Sequence, residues 1–146
     1  MQLPEYITKD EVKRICQELK LRDWSQLTEP KVSAEEAQVI LNIVKPGGMD
    51  IPLDDFRVGL EVELEHGTQF ADANVTNNHP ILTGKIVLAH LYETMDYYKR
   101  LEVAEIEGDI LKAVKAGNLA KVEKYHRKLA KAKLELAEEE ARQLAR

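Results

Sequence analysis

The sequence predicts an all-α protein: a compact multi-helix core with one long central helix, followed by a C-terminal antiparallel helical hairpin. Three observations predict it. Two capping-box signatures, Thr8-Lys9-Asp10-Glu11 and Ser33-Ala34-Glu35-Glu36, each open a run with apolar residues at helical spacing. Only 7 Gly and 5 Pro punctuate 146 residues, far too few for a β-sandwich with its many turns. From Thr83 to Ala116 no proline intervenes and only Gly84 and Gly108 interrupt a continuous helical pattern.

Taken in order, the first helix is expected from Thr8 to about Leu21, burying Val12, Ile15, Cys16 and Leu19 along one stripe. Asp23-Trp24-Ser25 reads as a turn that pins Trp24 and Leu27 on the core. The Ser33 box opens a second helix with Ala37, Ile40, Leu41 and Val44 inward, and Lys45-Pro46-Gly47-Gly48 stops it. Asp54 or Asp55 caps a third helix, roughly Asp55 to His66, with Gly67 as its left-handed C-terminal residue. Thr68 to Leu82 is the longest irregular stretch, of a length that marks function or poor order. The long helix from Thr83 is apolar nearly all round at first, as a central buried helix is. Lys115-Ala116-Gly117-Asn118 is a stop followed by a start, with Gly as the terminating residue and Asn as the next N-cap. The final helix, Leu119 to about Ala145, folds back as an arm. Residues 1–101 thus form the core domain and 102–146 the hairpin, packed on the core or on a partner.

Composition narrows the function classes. With 44% apolar and 32% charged residues the chain fits a folded helical protein. The single cysteine, Cys16, cannot form an internal disulfide and sits in the first helix's apolar stripe, so it reads as a core residue. No apolar run reaches the length of a membrane span and Met1-Gln2-Leu3-Pro4 begins no secretory signal. The expectation is a cytoplasmic protein with no membrane partner. The net charge of −5 is uneven: residues 1–98 carry 9 Lys/Arg against 17 Asp/Glu, whereas 110–133 carries eight Lys/Arg against Glu123 alone. A basic helical arm of this kind can contact nucleic acid. It lacks aromatic platforms and is followed by Glu135, Glu138, Glu139 and Glu140, so a solvated charged face is the stronger reading.

The chemistry concentrates in Gly59-Leu60-Glu61-Val62-Glu63-Leu64-Glu65-His66-Gly67. Residues three apart on a helix share a face. Glu63 and His66 have that spacing, as do His90 and Glu93 on the next helix, and such pairs converge on ions in helical bundles. These four are candidate metal ligands, and the donor set suits Zn, Fe or Mn. Glu61 and Glu65 are candidate catalytic acids or bases. The excess of acid near a helix C-terminus, where the helix dipole disfavours anions, asks for a cation. Arg57, one turn before Glu61, and Lys85 can supply it as ordinary ion pairs. His66 also fits plain helix termination, and His90 a hydrogen-bonded core histidine. Tyr92, Tyr97 and Tyr98 read as amphipathic core-edge residues, and His79-Pro80 as turn chemistry.

The same stretch, followed by Asn74-Val75-Thr76-Asn77, Thr83-Gly84-Lys85-Ile86, Ala89-His90-Leu91 with Glu93, and Asp96-Tyr97-Tyr98 with Leu101, resembles an uncharacterised protein family of bacteria and phages, a domain of unknown function. The resemblance covers about residues 54–101, roughly a third of the chain. It implies a shared helical fold there and no established activity. Two departures stand out. Asn78-His79 occupies positions where the family pattern has acids. Thr94-Met95 stands where an aromatic and a proline usually precede Asp96, which implies that the long helix continues here where relatives kink.

Two functional readings follow. The first is a helical binding or structural module with a buried carboxylate–histidine network, its C-terminal helices mediating homo-oligomerisation or partner binding. The second is a metal-dependent, hydrolase-like enzyme with Glu63, His66, His90 and Glu93 as ligands and Glu61 or Glu65 as base.

Overall fold

The computed structural model describes residues 4–45 and 47–145. Among them the secondary structure is helical throughout, with no strand, as the all-α expectation requires. The helices are α1 (Lys9–Glu18), α2 (Ala34–Val44), α3 (Leu53–Gln69), α4 (Pro80–Glu93), α5 (Tyr97–Lys115) and α6 (Leu119–Leu144), with short 3-10 turns at Trp24–Gln26 and Ala71–Ala73. The chain folds as two compact units, Met1–Tyr92 and Glu93–Arg146.

In the first unit, Val12 and Cys16 of α1, Trp24, Ala37 and Ile40 of α2, Phe56, Leu60 and Leu64 of α3, and Val87 and Leu91 of α4 are almost wholly buried. Each large side chain taken out of water stabilises the unit by roughly 1.5–3 kcal/mol. Cys16 is a core residue, as its spacing indicated: burial pushes its thiol pKa up, and its sulfur accepts the Trp24 amide at 3.5 Å. The first helix ends earlier than expected because Lys20 adopts a left-handed conformation (φ 57°). The Leu21 amide then reaches back to the Cys16 carbonyl at 2.8 Å. Thr8 caps α1 by accepting the Glu11 amide at 3.1 Å. The Glu11 carboxylate is drawn to the Arg14 guanidinium instead.

The second capping box is complete and does more than begin a helix. The Glu36 carboxylate accepts the Ser33 amide at 3.1 Å, the Arg22 Nε and Nη2 at 3.0 and 2.7 Å, and the Trp24 indole N–H at 3.2 Å. Burial alone would raise the Glu36 pKa. The Arg22, Ser33 and Trp24 hydrogen bonds outweigh it and hold the pKa below the ordinary carboxylate value. Glu36 therefore stays ionised and ties the 22–24 segment to α2. At the end of α2, Gly48 takes a positive φ of 89°, while Pro46 lies outside the described residues.

Asp54 and Asp55 are not caps. The helix α3 starts at Leu53 after Pro52, and the two acids occupy its first turn, where the dipole favours them. The helix α4 packs one face inward, with Thr83, Gly84, Val87, Leu88 and Leu91 buried while Lys85, Ile86 and Ala89 are exposed. Gly84 is required by proximity: a Cβ there would meet Ile40 Cγ2 at 2.6 Å, with Phe56 Cζ and Val44 Cγ1 each at 3.4 Å.

The expected continuous helix from Thr83 to Ala116 is two helices, broken at Thr94-Met95-Asp96. Local and tertiary side-chain partners together explain the break. Asp96, fully buried, accepts Thr94 Oγ1 at 2.5 Å, Arg100 Nε and Nη2 each at 2.8 Å, and Gln143 Nε2 of α6 at 3.3 Å. Arg100 also reaches Glu140 of α6 at 2.8 Å. The hairpin of α5 and α6 forms as expected, with Gly117 at φ 65° and Asn118 accepting the Lys121 amide at 3.0 Å. Its core is Ile106, Leu129 and Ala132, flanked by Val103, Ile110 and Tyr125. Among the described residues no helix is long and apolar enough to cross a membrane.

Replacing Gly84 by alanine would raise helix propensity by about 1 kcal/mol on an exposed helix. Here the added methyl collides with Ile40, and a net destabilisation of about 1–3 kcal/mol is expected, read from the urea midpoint.

Candidate functional site

Glu63 lies within α3, two turns before its end. The helix runs past Gly67 to Gln69, so Gly67 is helical rather than a left-handed terminator. Its last carbonyls find partners that local sequence reading missed. Thr68 Oγ1 donates to the Leu64 carbonyl at 2.9 Å, the Phe70 amide to His66 at 2.9 Å, and Asn74 Nδ2 to Gly67 at 3.3 Å. Satisfying these orphan acceptors extends the helix by about one turn.

Three of the four candidate ligands gather in the first unit. Glu63, 11% exposed at its side chain, lies between two imidazoles: His66 Nδ1 is 3.7 Å from Oε2, and His90 Nε2 is 3.5 Å from Oε1. Each imidazole faces a different oxygen of the carboxylate. Among the described residues no group of three or more His, Cys, Asp or Glu side chains is placed to hold a metal ion. Glu93 is the last residue of α4 and falls in the second unit. Of the candidate acids, Glu61 is engaged elsewhere, accepting the Val32 amide at 3.1 Å and Arg57 Nη1 at 3.5 Å. Glu65 lies two residues beyond Glu63, so it leaves the helix about 200° round from it.

Glu63 and His66 wall a cavity of about 290 Å³, with Phe70, Val75 and Ile86 as its large apolar lining residues. Asn74 and Asn78 form its polar boundary. Asn74 Nδ2 donates to Asn78 Oδ1 at 3.1 Å, and Asn78 Nδ2 donates to the Trp24 carbonyl at 3.4 Å. This pair sits directly on α3 where Gly67 has no side chain: a Cβ there would lie 1.9 Å from Asn78 Oδ1 and 2.8 Å from Asn74 Nδ2. Gly67, Asn74 and Asn78 also line a second cavity of about 330 Å³, which Lys9, Ser25, Leu27 and Thr28 help enclose. The asparagine pair is therefore a shared partition between two hollows.

The expected irregular stretch is ordered by its own side chains. Asn77 and Asn78 take left-handed conformations (φ 48° and 62°), which asparagine tolerates better than other non-glycine residues. Asn77 Nδ2 donates to the Ile7 carbonyl at 2.6 Å, fastening the loop to the segment before α1. His79, 8% exposed, is the N-cap side chain of α4: its Nδ1 accepts the Ile81 and Leu82 amides at 3.2 and 3.4 Å, with Pro80 in the first helical position. Sequence reading assigned His79 to turn chemistry and gave the asparagines no structural role. The signal present was the Asn-Asn pair just before a helix-starting proline.

These features describe a small helical protein with a carboxylate-walled, largely apolar cavity in its first unit. The chain belongs to the family described as Protein of unknown function (DUF5661), whose model matches residues 12–107. That match takes in most of α1, all of α2 and much of α5 besides the 54–101 stretch that carried the resemblance. No curated protein and no solved structure matches the chain.

The His79 cap works only when Nδ1 is unprotonated. Burial lowers the His79 pKa below its ordinary value of 6.5, with the Glu11 charge opposing this and the Arg14 charge adding to it. The unfolded chain therefore takes up the proton first. This contribution is complete above about pH 6.5 and is lost as pH falls through the depressed folded value. Replacing His79 by alanine should cost about 0.5–2 kcal/mol at pH 7.5, whereas asparagine should keep most of the cap. Urea midpoints at pH 7.5 and 5.5 should fall further for wild type than for His79→Asn.

Proposed function

We propose that the first unit is a binding module and that its site is the cavity between the second half of α3, the 70–78 segment and the start of α4. The placement of Glu63 carries this reading. An ionisable side chain only 11% exposed is held at the wall of a cavity instead of in open solvent, where it would be cheaper to keep. A largely apolar hollow with a few polar groups on its wall is the usual form of a ligand site. At about 290 Å³ it suits a small ligand.

Several observations favour binding over hydrolytic chemistry. Glu61 is occupied by the Val32 amide and Arg57, and Glu65 leaves the helix on another side. That leaves Glu63 as the carboxylate bordering the cavity among the described lining residues. Amide spectra of the labelled protein, recorded against a mixed set of small fragments, should show shift changes concentrated between residues 63 and 86. Shifts scattered over the surface would sink the proposal. Elemental analysis of protein purified without chelators is expected to find no stoichiometric Zn, Fe or Mn. A full equivalent would shift the balance to the metal-dependent enzyme with Glu63, His66, His90 and Glu93 as ligands.

Self-association we assign to the hairpin. Leu111, Val114, Leu119 and Leu134 are each more than half exposed there, an unusual density of large apolar side chains on solvated helices. Light scattering of the full chain should give a mass above that of a monomer, and Leu134→Glu should lower it. An unchanged mass would exclude this surface.

A further inference from the structure

Four acids follow the basic run of α6 and offer it a counter-charge in the sequence: Glu135, Glu138, Glu139 and Glu140. Three of them are engaged elsewhere or at the run's far end. Glu135 faces Lys131 at 3.6 Å, Glu139 binds Arg142 at 2.6 Å, and Glu140 binds Arg100 at 2.8 Å. Glu123, the acid inside the run, binds Arg127 at 2.6 Å. Glu138 stands well beyond Lys128, about 15 Å along the helix and outside a Debye length of ~8 Å at physiological salt. Lys121, Lys124 and Lys128 are exposed and, among the described residues, make no ion pair. Lys128 does lie over the Tyr125 ring, with Nζ 6.0 Å from the centroid.

The spacing of these lysines makes a row. Lys121, Lys124, Lys128 and Lys131 follow one another at helical intervals of three, four and three. They therefore leave α6 within about 80° of one another and span about 15 Å of its length. Lys124 and Lys128 are like charges one turn apart, an arrangement that weakens a helix slightly unless something offsets it. With Ala120, Glu123 and Arg127 they line an open groove of about 470 Å³. Glu123 and Arg127 cancel each other there, so the two lysines set the groove's net charge.

A straight row of ammonium groups is complementary to a partner whose negative charges also stand in a row, as the phosphates of a nucleic-acid strand do. Lysine meets a phosphate as a point charge and lacks the planar fork that reads a base edge. Between residues 120 and 133 no large apolar side chain of the described residues is exposed, whereas a helix lying in a lipid surface presents such a face. The row also has no exposed aromatic platform of the kind that holds single strands, which favours a duplex.

We propose that the 121–131 face of α6 holds the phosphate backbone of a nucleic-acid duplex without reading its sequence. The surface lies apart from the cavity of the first unit, and neither reading depends on the other.

The test is fluorescence anisotropy of labelled DNA duplexes of unrelated sequence, titrated with the full chain over a series of salt concentrations. Both sequences are expected to bind equally. Four lysine–phosphate contacts give a slope of log affinity against log salt of about −3.6. Lys124→Gln combined with Lys128→Gln removes two contacts and should halve that slope to about −1.8. Lys133 is an exposed lysine of the same helix without an ion pair, about 160° round from the middle of the row, and Lys133→Gln should leave the slope unchanged. Circular dichroism of the variants should match wild type, since all three side chains are exposed. No anisotropy change at low salt would overturn the proposal. An equal loss in Lys133→Gln would reduce the effect to general charge attraction and overturn it too. So would displacement of the duplex by an equal charge concentration of polyglutamate, which would assign the row to an acidic protein. Binding to phosphatidylserine–phosphatidylcholine vesicles, lost with the same two substitutions and stronger than duplex binding, would assign it to lipid headgroups instead.

Discussion

The first unit depends on a buried carboxylate. Glu36 joins the capping box of α2 to the Arg22 guanidinium and the Trp24 indole. Its influence continues along a polar route. The Trp24 carbonyl accepts from Asn78, Asn78 accepts from Asn74, and Asn74 donates to the Gly67 carbonyl in α3. A single charge buried near the start of α2 thereby fixes the partition between two hollows some thirty to forty residues further along the chain. Removing one member of such a route leaves buried polar groups without partners, which costs more than the bond lost. Among the described residues every buried side-chain nitrogen and oxygen has a hydrogen-bond partner.

Close approach is the second constraint, and two glycines express it differently. At Gly84 the missing methyl lets α4 settle against Ile40 of α2 and Phe56 of α3. At Gly67 it lets two amide side chains lie directly on a helix. In both cases the backbone is helical, so the glycine serves space rather than an unusual dihedral angle. The 70–78 segment is held on α3 at the second of these places, where Asn74 and Asn78 line the hollows on either side.

Much of the fold was legible because its cues are local. Thr8, Ser33 and Asn118 each cap the helix their sequence context announced, and Gly117 ends α5 in the left-handed region that favours glycine. The misread boundaries come from side-chain partners and backbone turns that periodicity does not encode: α1 ends at a left-handed Lys20. At Gly67, the helical pattern does not announce that Thr68 and Asn74 will bond the carbonyls of α3 and carry it to Gln69. Nothing near Asp96 announces a glutamine 47 residues away. The site was legible in the same proportion. Helical spacing put Glu63 beside His66, and the patterning of the next helix put His90 within reach. That Glu61 would be claimed by the Val32 amide depends on how α3 meets the segment before α2, which no periodicity encodes.

The arrangement around Asp96 makes a break at one place in the chain depend on a distant stretch of the same unit. The residues before and after it are helix-competent, and a nascent chain could run straight through Thr94 and Met95. The turn is held by Gln143 directly and by Glu140 through Arg100, both near the far end of α6. The interruption between α4 and α5 therefore depends on residues 140–143 of α6 as well as on its own sequence.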